Sequence, residues 1–289
     1  MKHIFYALGA IFCWASLPVA TGSGLDSLSV EELLFYSFTS AAGVLYAIDV
    51  VQKRSLRLFV PGLKVSLLGV WGIFLYHYIY YQAMAQAPLA EAAILATTWS
   101  FWIVIFSSLH TLRRLPLTLL VAALVGMAGA ALVIGAGKEV RFVAEYLPGY
   151  ALALCCGLIW SSFSVGLSQM HLKEEPMTAF TVYAAVLSAI LYAFTGPHPL
   201  PSAEALAAAV YLGCVPLGLS FFFWNRAVTG GNMTIIGLLS YATPPLAVLL
   251  VALVRRQAVS LQVILGMGLI IGAALGGNYL LRRLKKVAR

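Results

Sequence analysis

The chain has 289 residues, of which 62% are hydrophobic and 10% are charged, and its mean hydropathy is +0.93. Soluble domains usually carry about 25% charged residues, so this composition excludes an ordinary soluble enzyme and predicts a polytopic membrane protein. The net charge of +8 does not indicate nucleic-acid binding, because the basic residues stand in short clusters between apolar runs and form no basic face.

Apolar runs of about 20 residues, the length that crosses a bilayer, predict an all-α fold of ten membrane-spanning helices. The N-terminal run is expected to be a retained helix, because no convincing signal-peptide cleavage site precedes the next run. Proline and glycine residues stand in the short connections and end the helices. The predicted helices cover residues 3–21, 31–50, 63–85, 89–110, 117–136, 150–169, 177–195, 204–225, 233–253 and 261–281.

The distribution of Lys and Arg predicts the orientation, since cytoplasmic loops carry an excess of both. With a cytoplasmic N-terminus, fourteen of the 18 basic residues lie inside. This places both termini in the cytoplasm and the protein in the inner (plasma) membrane. The remaining four basic residues lie outside, and the last pair makes helices 9 and 10 the least certain part of the topology: Lys138, Arg141, Arg255 and Arg256.

The second half of the chain resembles the first when it is shifted by 144 positions, which aligns Leu68-Gly69 with Leu212-Gly213 and Tyr80 with Trp224. We interpret this as two five-helix halves, residues 1–138 and 149–289. Because five is odd, the second half enters the membrane from the opposite side, as an inverted repeat. The alternative is a chance match between apolar runs of similar composition.

Two short motifs and one longer tract carry a resemblance to a known family. They are the W-A-S motif at Trp14, the W-S-S motif at Trp160, and the tract from Leu68 to Pro88 with its A-M-A-Q-A-P ending. With ten helices in two halves, they resemble the drug/metabolite transporter superfamily, EamA type. The resemblance implies that helices 1, 3, 4, 6, 8 and 9 line a central cavity, that helices 5 and 10 are peripheral, and that the protein exports small amphipathic metabolites.

Tryptophans are unusually central in this sequence. Trp14, Trp71, Trp99, Trp102 and Trp160 all lie near the midpoints of predicted helices, whereas tryptophan normally favours the membrane interfaces. They predict an aromatic cavity at the depth where secondary transporters bind substrate. This tyrosine- and tryptophan-rich centre is similar to that of the YddG-type bacterial exporters of aromatic amino acids. Helix packing or lipid exposure is the alternative for any single ring.

Helix 3 carries four tyrosines and a histidine between Tyr76 and Tyr81. A helical stripe through Trp71, Phe74, Tyr78 and Tyr81 fits one face, so we select Tyr78 and Tyr81 as cavity residues. His77 is a candidate proton carrier, because its ordinary pKa lies near neutrality. The alternative is a hydrogen-bonded histidine at the interface.

Glu91 is the one acidic residue away from the predicted helix ends. An acid within the membrane is costly and usually functional, so Glu91 is a candidate partner for a substrate ammonium or a proton. It also follows Pro88 in the first turn of helix 4, where a carboxylate favours the positive end of the helix dipole. Both interpretations stay open.

Small hydroxyls and prolines supply the remaining candidates. If the protein carries aromatic amino acids, we expect the apolar ring of the substrate to bind Trp14, Tyr78, Trp99, Trp160 and Tyr241. We expect its polar end to bind Ser161 and Thr243. Ser16 is a further binding candidate beside Pro18. Prolines within helices remove backbone hydrogen bonds, so we expect kinks or gates at three positions: Pro18, Pro244 and Pro245.

Small residues recur at four-residue spacing in helices 5 and 10, as Ala122, Gly126 and Ala130 and as Gly268, Gly272 and Gly276. Such stripes let helices approach closely, so we expect helix 5 to pack on helix 10 within a monomer. A homodimer through the same helices is the alternative. Beside a lipid bilayer and a small-molecule substrate, no other partner is expected.

Several other functions are disfavoured. The four cysteines make no C-x-x-C motif and are expected to be buried hydrophobic residues, with no metal and no cofactor. No Walker A, H-E-x-x-H or G-x-G-D sequence occurs, so neither direct ATP use nor an intramembrane enzyme is expected. A proton-coupled multidrug exporter remains the main alternative, and a channel a distant one. The cysteines are Cys13, Cys155, Cys156 and Cys214.

Overall fold

The computed structural model describes residues 2–170, 172–196, 198–255 and 258–287. Within these ranges the chain forms ten apolar helical spans long enough to cross a membrane, which confirms the predicted fold class. Two of the basic residues that predict the orientation, Arg256 and Arg289, lie outside the described residues. Helices 1 to 10 are Lys2–Leu25, Val30–Lys53, Leu63–Gln86, Leu89–Leu112, Leu117–Ile134, Leu147–Ser168, Met177–Phe194, Ala203–Val228, Met233–Arg255 and Leu261–Val287.

Side-chain caps fix where several helices begin. Helix 2 starts with a complete capping box, in which Glu32 N donates to Ser29 Oγ (3.2 Å) and Ser29 N donates to Glu32 Oε2 (2.7 Å). Ser202 and Asn232 cap helices 8 and 9 in the same way, by accepting a hydrogen bond from a backbone N–H three residues later. Polar residues at the ends of apolar runs therefore set the boundaries of these spans.

Three helices are interrupted near their middles. Helix 1 breaks between Trp14 and Leu17, and helix 9 between Ser240 and Thr243. Prolines follow both breaks and remove the N–H groups that would continue the helix.

Helix 4 breaks between Ala96 and Trp99 without a proline. There the hydroxyls of Thr97 and Thr98 donate to the carbonyls of Ala93 and Leu95, each at 2.7 Å, and compete with the backbone pattern. The interruption therefore comes from two adjacent threonines rather than from a missing N–H group.

Helices 3 and 8 each contain a π-helical segment, Val70–Leu75 and Gly213–Leu219. In helix 8, Pro216 lies inside the segment and cannot donate a backbone hydrogen bond. The last residues of the two segments, Leu75 and Leu219, stand 144 positions apart. Ala96 and Ser240, the last residues before two of the breaks, are separated by the same distance. Distortions of π type occur frequently at functional sites.

Helix 5 packs closely on helix 10, as predicted, but through other glycines. A methyl group at Gly129 would lie 2.7 Å from the Gly266 carbonyl oxygen, and the reverse contact has the same distance. The predicted contacts at Gly268, Gly272 and Gly276 are wrong, because no described atom lies within 4 Å of a Cβ at any of them. The buried face of helix 10 instead follows Val263, Gly266, Ile270, Ala273 and Gly277.

The connections divide the molecule into two faces. The N-terminal face carries the start of helix 1 and residues 54–62, 113–116, 172–176 and 229–232. The distal face carries residues 26–29, 87–88, 135–146 and 198–202. A large aromatic core lies midway between the faces, and a smaller core joins helices 5, 9 and 10 at one side.

Candidate functional site

A cavity of about 540 Å³, counted to its open mouth, lies among the distorted middles of the helices. All of its walls come from helices 1, 3, 4, 6, 8 and 9, the six that the family resemblance implies. None of the described lining residues carries a formal charge. They are Trp14, Leu17, Pro18, Tyr76, His77, Tyr80, Ala93, Ala96, Thr97, Trp99, Trp160, Phe221 and Thr243.

Four tryptophans form one buried cluster on the N-terminal side of this cavity. The ring centroid of Trp14 lies 4.9 Å from that of Trp224, 5.4 Å from Trp160 and 5.8 Å from Trp99. Most of these pairs meet edge to face or tilted, the arrangements that aromatic quadrupoles favour. The structure thus brings together Trp14, Trp99 and Trp160 from three helices distant in sequence.

Trp224 was not among the predicted site residues, because it stands near the end of helix 8. In the structure it is fully buried, and its Nε1 donates to Ser164 Oγ at 3.1 Å. The 144-residue shift aligns it with Tyr80, a cavity residue, and that is the signal that sequence reasoning left unused. By contrast Trp71 is 43% exposed, and Trp102 stacks on Phe106 outside the cluster.

The stripe chosen on helix 3 does not face the cavity. Tyr76, His77 and Tyr80 line it, whereas Tyr78 and Tyr81 are absent from its walls. The reason is the π segment before Tyr76, because one extra residue in a turn rotates the remainder of the helix by about 100° relative to an α-helix. Trp71, where the stripe starts, is itself absent from the cavity walls, so a stripe drawn from it with α-helical spacing does not identify the cavity face.

The two displaced tyrosines make other contacts. Tyr78 stacks on Phe74 with ring centroids 6.4 Å apart. Tyr81 is fully buried, and its hydroxyl lies 3.5 Å from Ser37 Oγ on helix 2. The contact of Tyr78 lies within helix 3 itself, whereas that of Tyr81 joins helix 3 to helix 2.

His77 presents one defined nitrogen to its surroundings. Its Nδ1 lies 2.7 Å from the carbonyl oxygen of Ile73, in the π segment. A carbonyl only accepts, so Nδ1 carries the hydrogen, and Nε2 of the neutral ring is left as an acceptor. Aromatic rings surround the imidazole, with Tyr76 at 4.7 Å and Phe38 at 5.3 Å. His77 is thus a buried polar group in an otherwise aromatic wall.

Glu91 lies outside the cavity wall. Its side chain is buried, and Oε1 accepts a hydrogen bond from the backbone N–H of Arg141 at 2.9 Å. The carboxylate also stands in the first turn of helix 4, as its dipole favours. In this conformation Glu91 ties the connection before helix 6 to the start of helix 4.

Of the predicted hydroxyl residues, one lines the cavity and two are bonded elsewhere. Thr243 lines the cavity, and its Oγ1 donates to the Ser240 carbonyl at 2.8 Å. Ser161 donates to the Gly157 carbonyl at 2.7 Å, and the Tyr241 hydroxyl donates to the Ala123 carbonyl at 2.8 Å. These last two bonds turn the hydroxyls away from the cavity.

The predicted prolines and their neighbour Ser16 lie at the breaks of helices 1 and 9. Ser16 accepts from the Tyr211 hydroxyl at 2.8 Å and is absent from the cavity wall. Pro18 lines the cavity at the start of the second piece of helix 1. Pro244 and Pro245 lie in the first turn of the second piece of helix 9.

Beyond the cavity, open space continues toward the distal face. A second space of about 780 Å³ lies one helical turn further out on three of the same helices. It is lined by Gly22, four residues after Pro18, and by Met84, four residues after Tyr80. On the other side of the tryptophan cluster, Ala7 and Ala10 are fully buried.

Comparisons with known proteins place these features in context. The model of the EamA-like transporter family matches the chain twice, over residues 1–135 and 147–278. A solved crystal structure that is 32% identical superposes with a TM-score of 0.87, and the match covers 98% of each chain. The same fold therefore occurs in a protein of known structure.

Several curated relatives are exporters. The aromatic amino acid exporter YddG of Ancylobacter novellus is 32% identical over 276 residues, which cover 95% of this chain and 96% of the relative. The pseudopaline exporter CntI of Pseudomonas aeruginosa is 25% identical, with 81% and 93% covered. A probable terminal-alkyne amino-acid exporter of Streptantibioticus cattleyicolor is 24% identical, with 85% and 83% covered.

Proposed function

Because the chain belongs to the EamA-like transporter family, we propose that it exports aromatic amino acids by exposing its central cavity alternately to the two sides of the membrane. The observation that carries this proposal is the wall of the cavity, in which tryptophan and tyrosine rings come from helices 1, 3, 4 and 6, the first three of which are distorted near their middles. The similarity to an aromatic amino acid exporter over almost the whole chain supports the same substrate class.

The aromatic side chain of the substrate binds against Trp14, Trp99 and Trp160. Each aromatic pair contributes about 0.5–1.5 kcal/mol beyond the area that it buries, so two or three pairs separate phenylalanine from leucine by at least about fivefold.

The polar end of the substrate meets uncharged groups. The His77 Nε2 acceptor suits an ammonium or a ring N–H, and the Thr97 and Thr243 hydroxyls stand on other walls of the cavity. A zwitterion carries no net charge, so a wall without formal charges does not repel it. A free amine or a carboxylic acid would leave one charge unbalanced in a buried site, which is costly.

The two halves of the chain supply the two conformations. We propose that residues 1–138 and 149–289 form an inverted repeat. The twofold match of the family model and the 144-residue spacing of the helix distortions support it. Both termini lie in the cytoplasm of an inner-membrane protein, so the distal face is external and this conformation faces outward. The whole cavity lies within one chain, so a monomer suffices.

Counterflow in liposomes tests the proposed function. The purified protein, reconstituted with unlabelled phenylalanine inside, is expected to take up radiolabelled phenylalanine saturably, as a carrier does and a pore does not. Phenylalanine, tyrosine and tryptophan should compete with this uptake at least about fivefold better than leucine. Equal competition by leucine across the twenty amino acids would overturn the aromatic assignment.

In a proton-coupled multidrug exporter, Glu91 would be expected to bind the proton, because it stands two residues before the cavity residue Ala93. Because Glu91 binds the Arg141 backbone outside the cavity wall, we expect Glu91→Gln to transport within about threefold of the parent, less than about 0.7 kcal/mol. The amide oxygen of glutamine can still accept the same hydrogen bond. Counterflow from pH 5.5 to 8 measures this, and a pH dependence that disappears in the variant would favour the multidrug exporter.

A further inference from the structure

Arg226 lies at the N-terminal face in the last turn of helix 8 and joins three parts of the chain. Its Nη2 atom donates to Gln52 Oε1 of helix 2 at 2.8 Å. The same atom lies 3.5 Å from Glu175 Oε2, in the connection between helices 6 and 7. The Arg226 carbonyl accepts a hydrogen bond from His3 Nδ1 of helix 1 at 2.9 Å. One residue therefore bridges elements that must separate if a path is to open on this face.

A second bridge lies beside the first. Lys53 Nζ, at the end of helix 2, lies 2.8 Å from Asp49 Oδ2 and 3.2 Å from Glu174 Oε2. Helix 2 is thus joined to the connection before helix 7 at Glu174, and helix 8 is joined to it at the adjacent Glu175. We call Arg226, Gln52, Lys53 and these two acids the face lock.

The guanidinium of Arg226 is held in place by aromatic rings. It stands over the Phe222 ring at 4.0 Å, four residues earlier on the same helix, and 5.9 Å from the Tyr6 ring. Two residues before Arg226, Trp224 contacts Trp14 in the tryptophan cluster. Arg226 of the face lock and Trp224 of the tryptophan cluster therefore lie within one turn of helix 8.

The Glu175 carboxylate is stabilised by Arg226 and by the adjacent Asn225 side chain. Its Oε1 atom is buried and has no hydrogen-bond partner among the described residues. Burial raises the pKa of the Glu175 carboxyl, and the Arg226 guanidinium opposes part of that rise. Removal of the Arg226 guanidinium leaves the Glu175 carboxylate charged in a largely buried place. The ion pair is therefore sensitive to separation of helix 8 from the connection at Glu175.

We infer that Arg226 is a positioning residue for transport, which holds the N-terminal face closed while the cavity is open to the distal face. This inference rests on the proposed alternating access. To open the N-terminal face, the end of helix 8 must leave Gln52 and Glu175, so the face lock is broken once in each cycle. Weakening it shifts the population toward the conformation that is open at the N-terminal face.

Cysteine labelling tests the inference without measuring transport. In a background in which the four native cysteines are replaced, Ala10→Cys reports on the N-terminal side, since Ala10 is fully buried on the helix face that carries Ala7 and Trp14. Ala93→Cys reports on the distal side, where it lines the cavity. Arg226→Gln should raise maleimide labelling at position 10 by at least about fivefold and lower it at position 93.

Two further variants distinguish loss of the Arg226–Glu175 ion pair from general destabilisation of the protein. Arg283→Gln is the matched control, because Arg283 also stands over an aromatic ring four residues earlier, Tyr279 at 4.9 Å, and has no described ion pair. It should leave both labelling rates unchanged. The double variant Arg226→Glu with Glu175→Arg reverses the pair and should restore slow labelling at position 10.

The outcomes discriminate between the proposals. Labelling that is unchanged in Arg226→Gln, or that rises at both reporters, overturns the face lock. Labelling that shifts in opposite directions supports it, whatever the protein transports. A failed aromatic preference in counterflow would instead overturn the substrate assignment and leave the labelling result intact.

Discussion

Trp160→Ala is expected to reduce counterflow of phenylalanine by at least about tenfold, which corresponds to about 1.4 kcal/mol. The centroid of the Trp160 ring lies within 5.4 Å of those of Tyr76, Trp14 and Phe163. Trp160 therefore lines the cavity and also packs against the other rings that line it. Truncating a buried tryptophan to alanine costs about 3–5 kcal/mol of stability. Its neighbours then lose the ring that fixes their orientation toward the substrate.

Two companions separate recognition from stability. Trp160→Phe keeps an aromatic ring and should recover most of the transport, whereas Trp160→Leu should recover the unfolding temperature more than the transport. Trp102→Ala is the matched control, because Trp102 stacks on Phe106 away from the cavity. Counterflow and thermal unfolding are measured on the same preparations. A Trp160→Ala protein that transports as well as the parent would contradict the aromatic site.

Gly213→Ala is expected to destabilise the fold by about 1–3 kcal/mol, the usual cost of overpacking. Gly213 begins the π segment of helix 8, and a Cβ atom there would overlap the Ser37 carbonyl oxygen on helix 2. A backbone atom cannot rotate away as a side chain can, so one helix must move. The free energy of unfolding in mixed micelles, from a denaturant titration, measures the loss.

Gly43→Ala is the matched control for this glycine. Gly43 lies on helix 2, the helix that Gly213 contacts, but no described atom lies within 4 Å of a Cβ at Gly43. Alanine is favoured over glycine within a helix by about 1 kcal/mol, so this variant should be neutral or slightly more stable. Equal effects of the two substitutions would show that the close approach at Gly213 contributes nothing.

Much of the fold was predictable because it depends on length and local chemistry. Apolar runs long enough for a bilayer identify ten helices, and Pro18 and Pro244 mark two of the three breaks. The break at Thr97 carries no proline, so no local signal of that kind identifies it. It stands 144 positions before Tyr241, at the break of helix 9, and the internal repeat predicts it only when the second half of the chain is used as a template.

The cavity residues were harder to predict, for a specific geometrical reason. Depth, which does not depend on the angle around a helix, selected five tryptophans; Trp14, Trp99 and Trp160 line the cavity, whereas Trp71 and Trp102 do not. Tyr78 and Tyr81 were selected by that angle, and the π segment before Tyr76 rotates the face by about 100°. An extra residue in one turn leaves no mark in hydrophobic periodicity, so the correct pair of Tyr76 and Tyr80 required the backbone.

The absence of formal charge among the described cavity residues has an energetic consequence for the cell. A membrane potential does work of about 2.3 kcal/mol per elementary charge per 100 mV, and a zwitterion carried in an uncharged cavity moves no net charge. The potential therefore neither drives nor resists the loaded step.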